Sequence, residues 1–302
     1  MQPTTGKTSQ NTVVESIAKP IIKCPGGKSR LLPAILSNLP EDFQQSVTLY
    51  VEPFIGGGAV FFRVANDYKN IQCLINDFNP DIVNLYKVVK DHPKALISIL
   101  SRMKECNNQE FFNEVRELFN TRSSSNYIER IEKAARFLFL NKTCFNGLIR
   151  YNSKGGFNSP FGKYKNPLIL DVENILAASE LFNSKQMIAI TNRDFSKTIW
   201  EIDGPGSEVF YYLDPPYDPL NTTSNFTSYT SQGFSTRDHM RLKRDLDAID
   251  HRGGRFLLSA ANTETMRNMF EDYTIVEIKA GRAINRDGNK RGKITELLIK
   301  NY

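Results

Sequence analysis

The sequence predicts an α/β fold: an open, mostly parallel sheet interrupted near its middle by a helical and hairpin insertion. Three observations predict it. A strand–Gly loop–helix–strand unit lies near the start. Short apolar strands alternate with helices again from Met187 onward. Between them, residues 78–185 read as successive helices followed by a stretch rich in Gly, Asn, Tyr and Phe. A chain of 302 residues has room for one large α/β domain carrying such an insertion.

The elements follow in order. Met1 to Lys19 is polar, rich in Thr, Ser and Gln, and reads as a poorly ordered leader. Ile21-Ile22-Lys23 enters a Gly turn, Cys24-Pro25-Gly26-Gly27-Lys28, and a helix is expected from Arg30 to Leu39. Leu49 to Glu52 is a short strand running into Pro53-Phe54-Ile55-Gly56-Gly57-Gly58. Ala59 to Asn66 has helical spacing, and Gln72 to Ile75 is a second strand ending in Asn76-Asp77. Helices are expected at 81–89, 93–106, 110–119 and 128–141, a hairpin or ordered loop at 143–167, and a helix at 172–182. Strands then fall at 188–191, 208–213 and 255–259, with helices at 238–252 and 263–270. Residues 274–280 and 295–300 alternate like antiparallel partners. The α/β domain is thus assigned to 20–77 and 186–302, and the insertion to 78–185.

Composition narrows the function. No apolar run reaches the roughly 18–20 residues of a membrane span, and the leader lacks the apolar core of a signal peptide. Four scattered cysteines and three histidines offer no zinc ligand set, so no metal is expected and the thiols suit a reducing cytoplasm. Net charge is +6, and its placement matters more than its size. Residues 141–165 carry Lys142, Arg150, Lys154, Lys163 and Lys165 with no acid, and 279–293 carry six basic residues against one Asp. Two such stretches fit contacts to a phosphate backbone, or a solvated basic face.

Two motifs carry chemistry. Phe54-x-Gly56-Gly57-Gly58 lies between a strand and a helix, where glycines let a ligand approach the backbone and the helix start favours an anion. Asp77 falls at the tip of the next strand, where a carboxylate can accept from both ribose hydroxyls of an adenosine. The loop is neither Gly-x-Gly-x-x-Gly nor a P-loop, which disfavours NAD and ATP and prefers another adenosine cofactor. Lys28 is a cation suited to a carboxylate or a phosphate.

Asp214-Pro215-Pro216-Tyr217 is more specific. It follows an apolar strand, at the sheet end where open α/β sheets bind ligands. Two prolines stiffen the backbone and leave carbonyls as pure acceptors. An acid beside a rigid carbonyl makes a two-acceptor cradle for an exocyclic amine, and Tyr217 offers a face for a base. Such a cradle answers a chemical problem. The amine of adenine is a poor nucleophile, and accepting both its N–H bonds localises the lone pair for attack on the methyl of S-adenosylmethionine (SAM). Inside a stacked duplex the amine is out of reach, so base flipping is implied.

The order of these motifs resembles the Dam-type, α-group DNA adenine-N6 methyltransferases. Longer runs agree: Asn146-Gly147-Leu148-x-Arg150-Tyr151-Asn152, Phe157-Asn158-x-Pro160-Phe161-Gly162-x-Tyr164, Asn225-Phe226-Thr227-x-Tyr229, Leu257-Leu258-Ser259, and Arg291-Gly292-Lys293 with Glu296-Leu297-Leu298. The resemblance spans roughly residues 20–302 and implies a Rossmann-like SAM-dependent methyltransferase sheet with an inserted target-recognition domain. It implies cofactor contacts at Cys24, Lys28, Glu52, Phe54, Gly56, Gly58, Asp77 and Asp214, and catalysis by Asp214, Pro215 and Tyr217. An aromatic residue commonly stands at the Cys24 position. The family usually reads GATC in double-stranded DNA, which assigns DNA contacts to Phe145, Asn146, Leu148, Arg150, Pro160, Lys163 and Tyr164. Phe145 resembles an intercalating aromatic and Arg150 the guanine-reading arginine. Lys163 stands where the family often has Arg, and it can hold a phosphate but cannot fork onto a guanine.

Asp218 to Phe234 reads as a loop that orders over a flipped base. A cytoplasmic enzyme with no required protein partner is expected, by default a monomer or weak dimer, acting alone or within a restriction–modification system. Two rival readings stay open at this stage. One is another exocyclic-amine methyltransferase, acting on cytosine N4 or an RNA base. The other is a catalytically silent DNA-binding module.

Overall fold

A computed structural model describes residues 17–121, 126–202, 206–217, 234–281 and 293–302. Most of the expected leader, the loop after Tyr217 and most of the second basic stretch lie outside the described residues.

Pro33 shapes the first helical segment. The expected helix over Arg30 to Leu39 is instead a 3-10 turn, Lys28–Arg30, followed by the five-residue α1, Leu32–Leu36. A proline cannot donate within a running helix, so the chain restarts with Pro33 in the first turn. α2 (Phe43–Ser46), a single turn that periodicity did not reveal, leads to β1 (Leu49–Glu52). The Gly loop then opens α3 (Ala59–Asp67), and β2 (Gln72–Asn76) follows. The leader ends earlier than expected. Ala18 is buried, its carbonyl accepts from Asn66 Nδ2 at 2.8 Å, and Lys19 N donates to Asn174 Oδ1 at 2.7 Å.

The insertion supplies α4 (Pro80–Asp91), α5 (Pro93–Met103), α6 (Gln109–Asn120), α7 (Tyr127–Thr143) and α8 (Val172–Asn183). Asn79, Asn108, Asn126 and Asp171 cap α4, α6, α7 and α8 by accepting a backbone N–H in the first turn, as short polar side chains do. Between α7 and α8 the chain makes the expected hairpin. It is held by single bridges, Cys144 to Phe161 and Tyr151 to Phe157, and not by a continuous ladder.

The second half returns to the sheet with β3 (Met187–Thr191), α9 (Phe195–Trp200), β4 (Val209–Leu213), α10 (Thr236–His251), β5 (Arg255–Ala261), α11 (Glu264–Met269), β6 (Thr274–Gly281) and β7 (Lys293–Lys300). The order is β3-β2-β1-β4-β5-β7-β6, parallel from β3 to β5. β7 is antiparallel to both β5 and β6, as the alternation of the last two strands predicts. β4 is buried along its whole length, as a central strand covered on both faces must be. Alternate residues serve opposite faces. Tyr50, Phe210 and Tyr212 join one core with α3, α4, α7 and α8, and Val51, Tyr211 and Leu213 join another with α9, α10 and α11. The strand order reverses between β1 and β4, which puts a crevice beyond their carboxyl ends.

Candidate active site

Three adjacent parallel strands end in acids. β1 closes on Glu52, β2 is followed by Asp77 and β4 by Asp214. Glu52 is buried and accepts from Tyr50 Oη at 2.5 Å. Burial holds its carboxyl well above the usual range, with Asp214 and Asp77 adding repulsion. Asp77 is buried too. Burial pushes it up to about 6, against the pull of backbone N–H groups from Asn79 and Gly56. Those bonds are both 2.8 Å, one to each carboxylate oxygen. Each oxygen keeps a further acceptor site.

The Gly loop is shaped around these acids. Gly56 and Gly58 take positive φ, +46° and +71°, and Gly58 starts α3. Tyr86 Oη donates to Gly56 O at 2.7 Å from the insertion side. A Cβ on Gly57 would sit 3.0 Å from that of Cys24, so the Gly loop lies directly against the Pro-Gly-Gly-Lys turn. Phe54 packs in a ring cluster with Phe195 and Phe234.

Lys28 is 4% exposed, where a turn lysine would ordinarily be solvated. Its Nζ lies 2.7 Å from Asp214 Oδ1 and 3.7 Å from Glu296 Oε2 on β7. Burial alone would lower the Lys28 pKa, but Asp214 and Glu296 outweigh it and raise it. Burial raises Asp214, and Lys28 restrains the rise. Tyr217 Oη donates to Glu296 Oε2 at 2.8 Å, and the Lys28 ammonium stands 4.7 Å from its ring centroid. One face of the ring expected to receive a base therefore has a cation over it. Pro215 is buried between these groups in sequence. Glu296 was legible only as part of a matching tail. Its signal is an acid inside β7, just before Leu297-Leu298-Ile299 and 79 residues from Tyr217.

The hairpin carries the residues expected to touch DNA. Phe145 is 49% exposed, an uncommon position for a Phe, and the chain turns sharply after it at Asn146 and Gly147, with φ of +54° and +66°. Pro160 and Lys163 are exposed, and Leu148 and Arg150 half-buried. Tyr164 is engaged in holding the hairpin: its Oη accepts from Asn146 N at 2.8 Å, and Lys23 Nζ lies 4.4 Å from its ring centroid. Lys142, counted with the basic stretch, is half-buried, and burial with Lys23 nearby pushes it down to about 8. Asn141 clamps the hairpin to the Lys28 turn, accepting from Lys23 N and donating to Lys23 O, both at 2.8 Å, and donating to Gly147 O at 3.1 Å.

Beside Asp77 is a cavity of about 520 Å³ lined by Phe78, Pro80, Asn192, Arg193, Asp194 and Lys197. Asn192 Nδ2 donates to the backbone carbonyls of Asp77 and Phe78, which ties the cavity wall to the end of β2. Phe78 is half-exposed there, an apolar surface for an adenine ring. A carboxylate with spare acceptor sites, a side-chain-free loop and an aromatic-edged cavity fit an adenosine-bearing methyl donor.

Fold and site together define a class, an α/β methyltransferase. The chain belongs to the D12 class N6 adenine-specific DNA methyltransferase family, which it matches across residues 25–284. It is 40% identical over 294 residues to the type II methyltransferase M.MjaIII of Methanocaldococcus jannaschii, covering 94% of this chain and 99% of that one. It is 35% identical over 280 residues to a DNA adenine methylase of Vibrio cholerae, covering 92% and 94%. A precorrin-6y C5,15-methyltransferase structure from Geobacter metallireducens aligns over 94% of this chain and 98% of that one, at 10% identity and a TM-score of 0.38, and bears on neither site nor substrate. The protein is a SAM-dependent enzyme that methylates the N6 amine of adenine in DNA. Among the described residues no helix is long and apolar enough to cross a membrane.

Proposed function

We propose that the enzyme flips an adenine out of duplex DNA, within GATC, and methylates it in the crevice between β1 and β4. The observation that carries this reading is the Lys28–Asp214–Glu296–Tyr217 cluster at the switch point of the sheet. Asp214 and the Pro215 carbonyl accept the two N–H bonds of the amine and orient its lone pair. Lys28 holds Asp214 in place before the base arrives, and the amine then takes one of the carboxylate's remaining acceptor sites. Tyr217, tethered by Glu296, presents its other ring face to the base. SAM supplies the electrophilic methyl group. Asp77 accepts from its ribose, the cavity beside Phe78 takes its adenine, and the Gly56–Gly58 loop lets it approach the backbone.

Recognition is assigned to the insertion, 78–185. Phe145 fills the space the base leaves, and Arg150 reads a guanine. Asn146, Leu148, Pro160, Lys163 and Tyr164 shape or line the same contact, with Lys163 on a phosphate. A cytoplasmic monomer or weak dimer acting without a partner protein completes the reading. The relative named a type II methyltransferase suggests a restriction–modification setting.

Replacing Asp214 by Ala tests the mechanism. Transfer of labelled methyl from SAM to DNA should be abolished while DNA affinity stays largely intact. Wild-type turnover by the variant would refute the assignment.

A further inference from the structure

Arg150 is held at both ends. Its Nε donates to Asn158 Oδ1 at 2.8 Å and its Nη2 to Asn158 O at 3.1 Å. Across the hairpin, Asn158 N donates back to Arg150 O at 2.9 Å. The next residue is anchored as well. Tyr151 Oη donates to Asp81 Oδ2 at 2.7 Å, and buried Asp81 also pairs with Lys133 Nζ at 2.7 Å. The backbone at 150–151 is thereby pinned to the start of α4, and the guanidinium to the opposite arm of the hairpin.

A guanidinium has five N–H donors. Two are committed to Asn158, both on the Nε–Nη2 edge. What remains is the Nη1–Nη2 end, which still presents two parallel N–H bonds, the number that guanine O6 and N7 accept. A loose arginine would also offer its Nε–Nη2 edge, and with it alternative contacts to phosphates or other bases. Fixing the side chain in advance also removes its ordering cost from the binding step.

We infer that Asn158 is a specificity-determining positioning residue, which fixes the guanidinium plane of Arg150 so that only its Nη1–Nη2 end reads the base. The inference rests on the proposed role of Arg150 as a guanine reader.

The test uses the full chain and duplex oligonucleotides carrying the methylated site or a single base-pair change at each position, with kcat/KM for each. Arg150→Ala identifies the base pair it reads. Asn158→Ala should lose on the order of tenfold in discrimination at that same pair and little elsewhere. Asn158→Asp, which keeps an acceptor for Nε, should retain the discrimination. Asn158→Ala added to Arg150→Ala should cost nothing further. A uniform loss over all sites, a loss at a different base pair, or additivity in the double variant would overturn the positioning role. Unchanged preference in Arg150→Ala would instead remove the reader itself, and the inference with it. SAM affinity, measured in parallel, confirms that each variant is folded.

Discussion

At the scale of single residues, the site is an exercise in paying for buried charge. Lys28 and Asp214 offset one another's burial, and Glu296 adds a second acid for the one cation. Among the described residues no cation pairs with Asp77, which accepts two backbone N–H groups, and burial pushes it up to about 6. That shift has a sign. Below pH 6 the carboxyl is protonated and loses acceptor capacity, and above it both oxygens accept. SAM affinity should therefore fall as pH drops from 7 to 5, on the order of tenfold per unit once below the pKa. Calorimetric titration across that range checks it, and an Asp77→Asn variant should bind weakly with a flat profile. For folding the direction is opposite. The folded pKa lies above the ordinary value, so the neutral acid is favoured, and stability drains away as pH rises between roughly 4 and 6.

At the scale of elements, the hairpin and the Lys28 turn behave as one piece. Asn141 grips Lys23 by both backbone groups, and Gly147 packs where a Cβ would overlap the Lys23 Cβ. Gly147 also has φ +66°, which a side chain rarely adopts. Gly147→Ala should destabilise the protein by about 1–3 kcal/mol and weaken sequence discrimination more than SAM binding. Thermal melts and paired SAM and DNA titrations read both, and wild-type behaviour would remove the coupling. The texture of 143–167 gave the hairpin away, because Gly and Asn mark turns. The clamp was illegible. Lys23 and Asn141 are 118 residues apart, and nothing local in either segment announces the other. Glu296 escaped for the same reason, its partners Lys28 and Tyr217 being remote from it in sequence. The helix expected over Arg30 to Leu39 failed because its apolar spacing concealed the effect of Pro33.

At the scale of the whole molecule, the sheet and its interruption were legible because short apolar strands and helical runs alternate over long stretches. Their joining was not. The core of one sheet face runs without a break into α4, α7 and α8, so the insertion is packed on the catalytic sheet, its hairpin clamped to the Lys28 turn. The hairpin and the catalytic sheet thus share a frame, and with recognition proposed for the hairpin the central claim is that this frame delivers one adenine from one duplex sequence. The most direct measurement is methylation of a random-sequence duplex library with SAM, read for modified base and flanking sequence. The expected product is N6-methyladenine confined to GATC. Methylation scattered over unrelated adenines, or N4-methylcytosine as the product, would contradict it.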